Sequence, residues 1–142
     1  MTTPGVELTG QVLHPGRASA LSLKLDPLSF WGGTDLRTGV ITDGRHPQHG
    51  VSLAGRSIVM RSGRGSSSSS SVLAEQLRAG VGPAGIVLAE PDAIILVGAL
   101  VAAELYGQLM PVIQLTVVEL DLIPDGKTLL VDAEGTQGRV VW

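Results

Sequence analysis

"RSIVMRSGRGSSSSSSVLAEQLRAGVGPAGIVLAE", residues 56–90, places a serine-rich turn between a short apolar run and an amphipathic stretch, and then returns to a second apolar run. "RSIVM" reads as a buried strand, "SVLAEQLRAG" as a helix, and "AGIVLAE", from Ala84 to Glu90, as another strand. Val72, Leu73, Gln76 and Leu77 fall on one side of the helix, and Gly80 stands at its C-cap position. A strand, a helix and a strand in succession predict a right-handed crossover between parallel strands. By composition alone, Gly63 to Ser71 would be a flexible tether. Its flanks make it a strand-to-helix turn at the carboxyl end of a parallel strand, where open α/β sheets gather their ligands.

The pattern extends in both directions. Upstream, "GQVLHPGRASALSLKL" predicts two short strands around His14, Pro15 and Gly16, with Ala20 or Leu21, Leu23 and Leu25 alternating. The stretch from Asp26 to Gly50 is crowded with Pro, Gly, Asp and Thr and predicts a long ordered loop with a short strand at Gly39 to Thr42. Phe30 and Trp31, adjacent aromatics with large apolar surface to bury, argue that this loop is ordered; they could stack on a substrate ring, and a wedge holding the loop onto the sheet or onto a partner subunit is the favoured reading. Downstream, "PDAIILVGALVAAELYG" predicts a helix with Pro91 near its first turn, Gly107 at its end, and Ile94, Ile95, Gly98, Val101, Ala102 and Leu105 facing inward. "MPVIQL" adds a strand, and "KTLLVDAEGTQGRVVW" adds two more around a glycine turn. The expected fold class is α/β, one domain over residues 1–142, with terminal hairpins forming a second β layer: a β/β/α sandwich.

Composition narrows the function classes. The chain has 142 residues, 44% hydrophobic, which is enough for one core. A net charge of -3, with ten scattered basic residues and four aromatics, argues against a nucleic-acid partner. With no cysteine, the chain holds neither a disulfide, a thiolate nucleophile nor a cysteine-ligated cluster. The N-terminus lacks a basic stretch followed by an apolar one, and the longest apolar run, Ala93 to Ala103, is too short to span a bilayer, so a cytoplasmic protein without membrane association is expected.

The turn has the makings of an anion site. A helix N-terminus carries backbone N–H groups without intrahelical partners and the positive end of the helix dipole. Gly63 and Gly65 allow close approach of the backbone, Arg64 adds a charged fork, and the serines add hydroxyl donors, which together suit a small anionic substrate. The competing reading is that one of Ser66 to Ser69 merely N-caps the helix while the others are solvated. A P-loop is excluded, because the turn lacks the terminal Gly-Lys-Ser/Thr.

Taken in order, "PLSFWGGTD" (Pro27–Asp35), "HPQHGVSLAGR" (His46–Arg56), "GRGSSSSSSVLAEQLRAG" and "PAGIVLAEPDAIILVGALVA" resemble the small subunit, or swivelling domain, of the aconitase X family, from about residue 8 to the C-terminus. The resemblance implies the swivelling three-layer fold and a hydro-lyase assembled from two subunits, at least a heterodimer. An iron or iron-sulfur centre would sit on the large subunit, with no metal ligands and no cofactor on this chain. It implies a small hydroxy acid as substrate: cis-3-hydroxy-L-proline in bacterial members, mevalonate 5-phosphate in archaeal ones. The unbroken six-serine run looks more like the bacterial branch. The family's proton acceptor, the first serine after the Gly-basic-Gly turn, falls on Ser66. Gly63, Arg64, Gly65 and Ser67, with Gly32 and Gly33 from the preceding loop, are the expected substrate-binding residues.

Other candidates are weaker. His46 and His49 have metal-ligand spacing, but with only Asp43 nearby they fall short of the three or four ligands that zinc takes, and surface histidines on a loop are expected. Asp35 and Arg37 could pair on the surface to little effect. The C-terminal stretch also resembles phosphohistidine swivelling domains, but those need a histidine where Ser66 stands. A non-catalytic interaction module is the remaining alternative.

Overall fold

The structure is a computed structural model describing residues 5–142; Met1 to Pro4, counted in the single domain and in the reading of the N-terminus, lie outside them. Its elements, in chain order, are β1 (Glu7–His14), β2 (Arg17–Leu25), the single turn α1 (Phe30–Gly33), β3 (Ser57–Met60), α2 (Ser69–Ala79), β4 (Gly85–Leu88), α3 (Ala93–Tyr106), β5 (Val112–Gln114), α4 (Val117–Leu122), β6 (Thr128–Asp132) and β7 (Gly138–Val141).

All residues of β3 and β4 are buried, as strands covered on both faces require. Along them the side chains alternate. Ile58, Met60, Ile86 and Leu88 pack with Leu73 and Leu77 of α2 and Ile95 and Ala99 of α3, whereas Val59 and Val87 pack with Leu129, Val131 and Val140 of β6 and β7. The period of two therefore divides one sheet between two cores. β2, β3, β4 and β5 are parallel neighbours, and antiparallel pairing of β1 with β5 and β7, and of β6 with β7 and β2, closes all seven strands into a ring. The expected β/β/α layering follows: an antiparallel wall, a parallel wall, and helices over the parallel wall's outer face.

Three local expectations are corrected, and one helix is added. β1 and β2 do not form a hairpin; each passes from one wall to the other, β1 pairing first with β7 and then with β5, and β2 first with β6 and then with β3. Residues 39–42 are no strand: Ile41 and Val40 make only isolated bridges, to Thr34 and Ser52. Leu105 is 67% exposed and Ala99 fully buried instead, because the 14-residue α3 outruns the 11-residue α2 that covers it. The sequence reading missed α4, although its signal is legible. Thr116 Oγ1 accepts the Glu119 amide (3.1 Å) and Glu119 Oε1 accepts the Thr116 amide (3.1 Å), the reciprocal capping of a T-x-x-E start, and Leu120 and Ile123 join the core inside the ring. Among the described residues no helix is long and apolar enough to cross a membrane.

Candidate functional site

After β3 the chain is fastened before it enters α2. Gly63 forms a parallel bridge with Leu28, and the Arg64 amide donates to the Leu28 carbonyl (2.9 Å). The six serines that follow are not equivalent. Ser66 accepts twice, at its carbonyl from the Ser69 amide (3.0 Å) and at Oγ from the Ser68 amide (3.3 Å). Ser67 and Ser71 are exposed, and Ser68, at the N-cap position, makes no side-chain cap. Ser69 is buried, its Oγ accepting the Trp31 amide (3.0 Å) and lying 3.3 Å from Ser29 Oγ. Ser70 Oγ donates to the Ile94 carbonyl (2.7 Å) and ties α2 to α3. The amides of Gly65, Ser66 and Ser67 make no hydrogen bond within the described residues, so they are available at the positive end of α2.

A cleft of about 520 Å³ opens at this turn, between Arg64, Gly65 and Ser66 on one side and Ser29, Trp31, Gly32 and Gly33 on the other, with Pro27 and Asp43 completing it. The turn and the preceding loop thus meet. Gly32 has φ +77° with open space around it, so the backbone conformation, not crowding, calls for glycine there. Gly63 and Ser67 do not line the cleft. A Cβ on Gly63 would run into the carboxylate of Asp92, the α3 N-cap whose Oδ1 accepts from Ile94 N (2.9 Å) and Ile95 N (3.2 Å). Among the described residues, Arg64 supplies the only positive charge of the lining and Asp43 the only negative one. Sequence reasoning did not place Pro27, Ser29 or Asp43 in the cleft and offered Trp31 only as an aromatic that could stack on a substrate ring; no spacing rule brings these residues together, since the loop is carried there by contacts with α2.

The adjacent aromatics divide the work of anchoring and lining. Phe30 is 2% exposed and wedges the loop into the core, while Trp31, 57% exposed, stands at the cleft lip. From the third turn of α2, buried Gln76 reinforces the loop, Nε2 donating to Thr34 Oγ1 (2.9 Å) and to the Asp35 carbonyl (3.1 Å). Asp35 makes no pair with Arg37; Oδ1 accepts the amides of Arg37 (2.8 Å) and Thr38 (2.9 Å), which hold its carboxyl below the usual carboxylate range.

Of the two histidines expected at the surface, His49 is exposed, whereas the expectation for His46 is corrected. His46 is buried, its Nδ1 accepting the Gln48 amide (3.0 Å) while Nε2 meets the Asp26 carbonyl (2.9 Å), so both ring nitrogens are committed to shaping the loop. Among the described residues no three His, Cys, Asp or Glu side chains are grouped as a metal site.

The family described as Aconitase X swivel domain matches residues 7–141. Over 85 residues, 60% of this chain, the sequence is 48% identical to a cis-3-hydroxy-L-proline dehydratase of Pseudomonas aeruginosa. That match takes in 15% of the relative, and a similar one takes in 16% of the cis-3-hydroxy-L-proline dehydratase of Hypocrea jecorina, so the chain spans a minor part of these longer proteins. Over 137 residues it is 30% identical to a phosphomevalonate dehydratase small subunit of Pyrococcus furiosus, covering 96% of each. The crystal structure of Thermococcus kodakaraensis aconitase X in its holo-form superposes with a TM-score of 0.82 at 27% identity, covering 95% of this chain and 98% of that one.

Proposed function

Because the chain belongs to the aconitase X swivel-domain family, we propose that it is the small subunit of a heteromeric cytoplasmic dehydratase, a hydro-lyase in which Ser66 accepts the proton that the substrate loses. The observation that carries this reading is the meeting of two separate stretches, Gly32–Gly33 and Arg64–Ser66, in one cleft at the mouth of α2. The substrate carboxylate lies against Arg64 and the amides of Gly65 and Ser66, where the helix dipole and a charged fork favour an anion. Ser66 Oγ then faces the carbon next to that carboxylate. An alcohol is a poor base, and it works here as an alkoxide stabilised by the Ser68 amide, the guanidinium of Arg64 and the end of α2. The proton passes from carbon to Ser66 Oγ, and the hydroxyl leaves on the face turned toward the large subunit. An iron or iron-sulfur centre on that subunit would supply the Lewis acid for the departing hydroxyl; this chain has no cysteine and, among the described residues, no grouped ligand set to hold one.

cis-3-Hydroxy-L-proline is the favoured substrate, supported by the unbroken serine run and by the 48% identity to a dehydratase of that compound. Mevalonate 5-phosphate is the second reading, favoured by the end-to-end match with a small subunit of the phosphomevalonate enzyme. The deciding measurement offers each compound to the chain co-purified with its cysteine-bearing large subunit and follows loss of water by mass spectrometry. Turnover of the hydroxyproline at least ~10-fold above the phosphate ester in kcat/KM is expected, roughly the ratio that 1.4 kcal/mol of differential transition-state binding gives. The opposite order replaces the first substrate with the second, and turnover of neither by a metal-loaded pair leaves only the interaction module.

A further inference from the structure

Ser69 is the one serine of the run that touches both walls of the cleft. Its amide donates to the carbonyl of Ser66 (3.0 Å), and its Oγ accepts the amide of Trp31 (3.0 Å) from the opposite side. It is 3% exposed, so neither bond competes with bulk water. Ser29 Oγ gives its hydrogen to the Trp31 carbonyl (2.9 Å), which leaves Ser69 as the donor in the 3.3 Å contact between the two hydroxyls. One buried hydroxyl thereby fixes both backbone groups of Trp31, directly through the amide and through Ser29 at the carbonyl. Past Trp31 the chain turns through the left-handed Gly32 into Gly33, so the tilt of the Trp31 peptide sets where both glycines stand relative to Ser66.

We propose that Ser69 is a positioning residue for the reaction: it sets the separation and register of the Trp31-Gly32-Gly33 wall against Ser66, and so the pose in which substrate presents its hydrogen to the base. This rests on the reading of Ser66 given above. The bland account, that Ser69 is a buried helix residue satisfied by a neighbouring amide, predicts a change in stability alone. A gauge for the cleft predicts a loss in the rate of the bound complex, because displacements of about 1 Å cost up to ~100-fold when the reacting atoms must sit near 3–3.5 Å.

The test uses Ser69→Ala and Ser69→Cys in the co-purified two-subunit enzyme, with Ser66→Ala as reference. The thiol is close to serine in size and accepts hydrogen bonds weakly, so it fills the site where alanine would leave a gap. Both variants are expected to lower kcat roughly 10- to 100-fold, with KM changed less than about threefold. In the small subunit of the same preparations, amide hydrogen exchange is expected to quicken at Trp31 and Gly32 while Leu73 and Leu77 of α2 remain protected. A kcat within about threefold of the unsubstituted enzyme in either folded variant overturns the proposal, as does a Trp31 amide that stays protected in both. If alanine unfolds the subunit, the cysteine variant decides. Should Ser66→Ala itself turn over normally, the reading of the site fails; should it be inactive while both Ser69 variants are normal, only the gauge fails.

Discussion

The two-subunit enzyme carrying Ser66→Ala is expected to lose about 10³-fold in kcat, within the range that a positioned general base contributes, with KM nearly unchanged. The geometry gives the asymmetry. Substrate binding is assigned to Arg64 and to backbone amides, which the substitution leaves in place, whereas the oxygen proposed to take the proton disappears. The fold should tolerate it. Ser66 Oγ accepts one 3.3 Å bond in a half-exposed position, while the 3.0 Å bond from the Ser69 amide to the Ser66 carbonyl, which starts the helix, belongs to the backbone. The measurement pairs steady-state kinetics with thermal unfolding of the variant. Turnover within tenfold of the unsubstituted enzyme removes Ser66 as the base; lost turnover with an unchanged unfolding temperature is the outcome its place in the cleft predicts.

Gly39→Val is expected to have the largest effect on stability, roughly 3 kcal/mol, which lowers the unfolding temperature by about 10 °C for a chain of this size. Gly39 is buried with φ +73°, a region that a β-branched residue enters only under strain, and a Cβ there would run into the Val81 carbonyl. It also closes the loop on itself, its amide donating to the Asp35 carbonyl (2.9 Å) and its carbonyl accepting the Leu53 amide (2.8 Å). The clash is with backbone just past the C-cap of α2, so no side-chain rotation relieves it. Gly44→Ala is the control: nothing lies within 4 Å of the added carbon and φ is not positive, so a change within about 0.5 kcal/mol is expected. Equal unfolding temperatures for the two variants in differential scanning calorimetry would mean that the loop does not pack against the end of α2.

Much of the fold was legible because its causes are local or periodic. The buried runs of β3 and β4, the stripe Leu73, Gln76, Leu77 and the left-handed glycines closing α2 and α3 follow from residue spacing and backbone sterics that any short window contains. The same logic placed Ser66 at a helix mouth, and Thr116-x-x-Glu119 would have yielded α4 had the capping pair been read. The failures share a cause. A hairpin between β1 and β2 is the default for neighbouring strands, yet each strand found partners more than a hundred residues away, where burying both walls of the ring outweighs the local turn. His46 looked like a surface residue until the Asp26 carbonyl and the Gln48 amide claimed its ring.

The alternation of strands and helices, the β/β/α layering and the glycine-flanked serine turn at a helix start are written in residue spacing, since periods of 2 and 3.6, glycine's access to positive φ and the unpaired amides of a helix start depend only on nearby residues. Tertiary structure alone decided what each serine does and which loop completes the cleft. Ser69 meets Trp31 across 38 positions and Gln76 meets Thr34 across 42, and such pairings carry no periodic trace. They become favourable only after Phe30 is buried and the helix packed, when an unmet polar group in the interior costs more than ordering the loop.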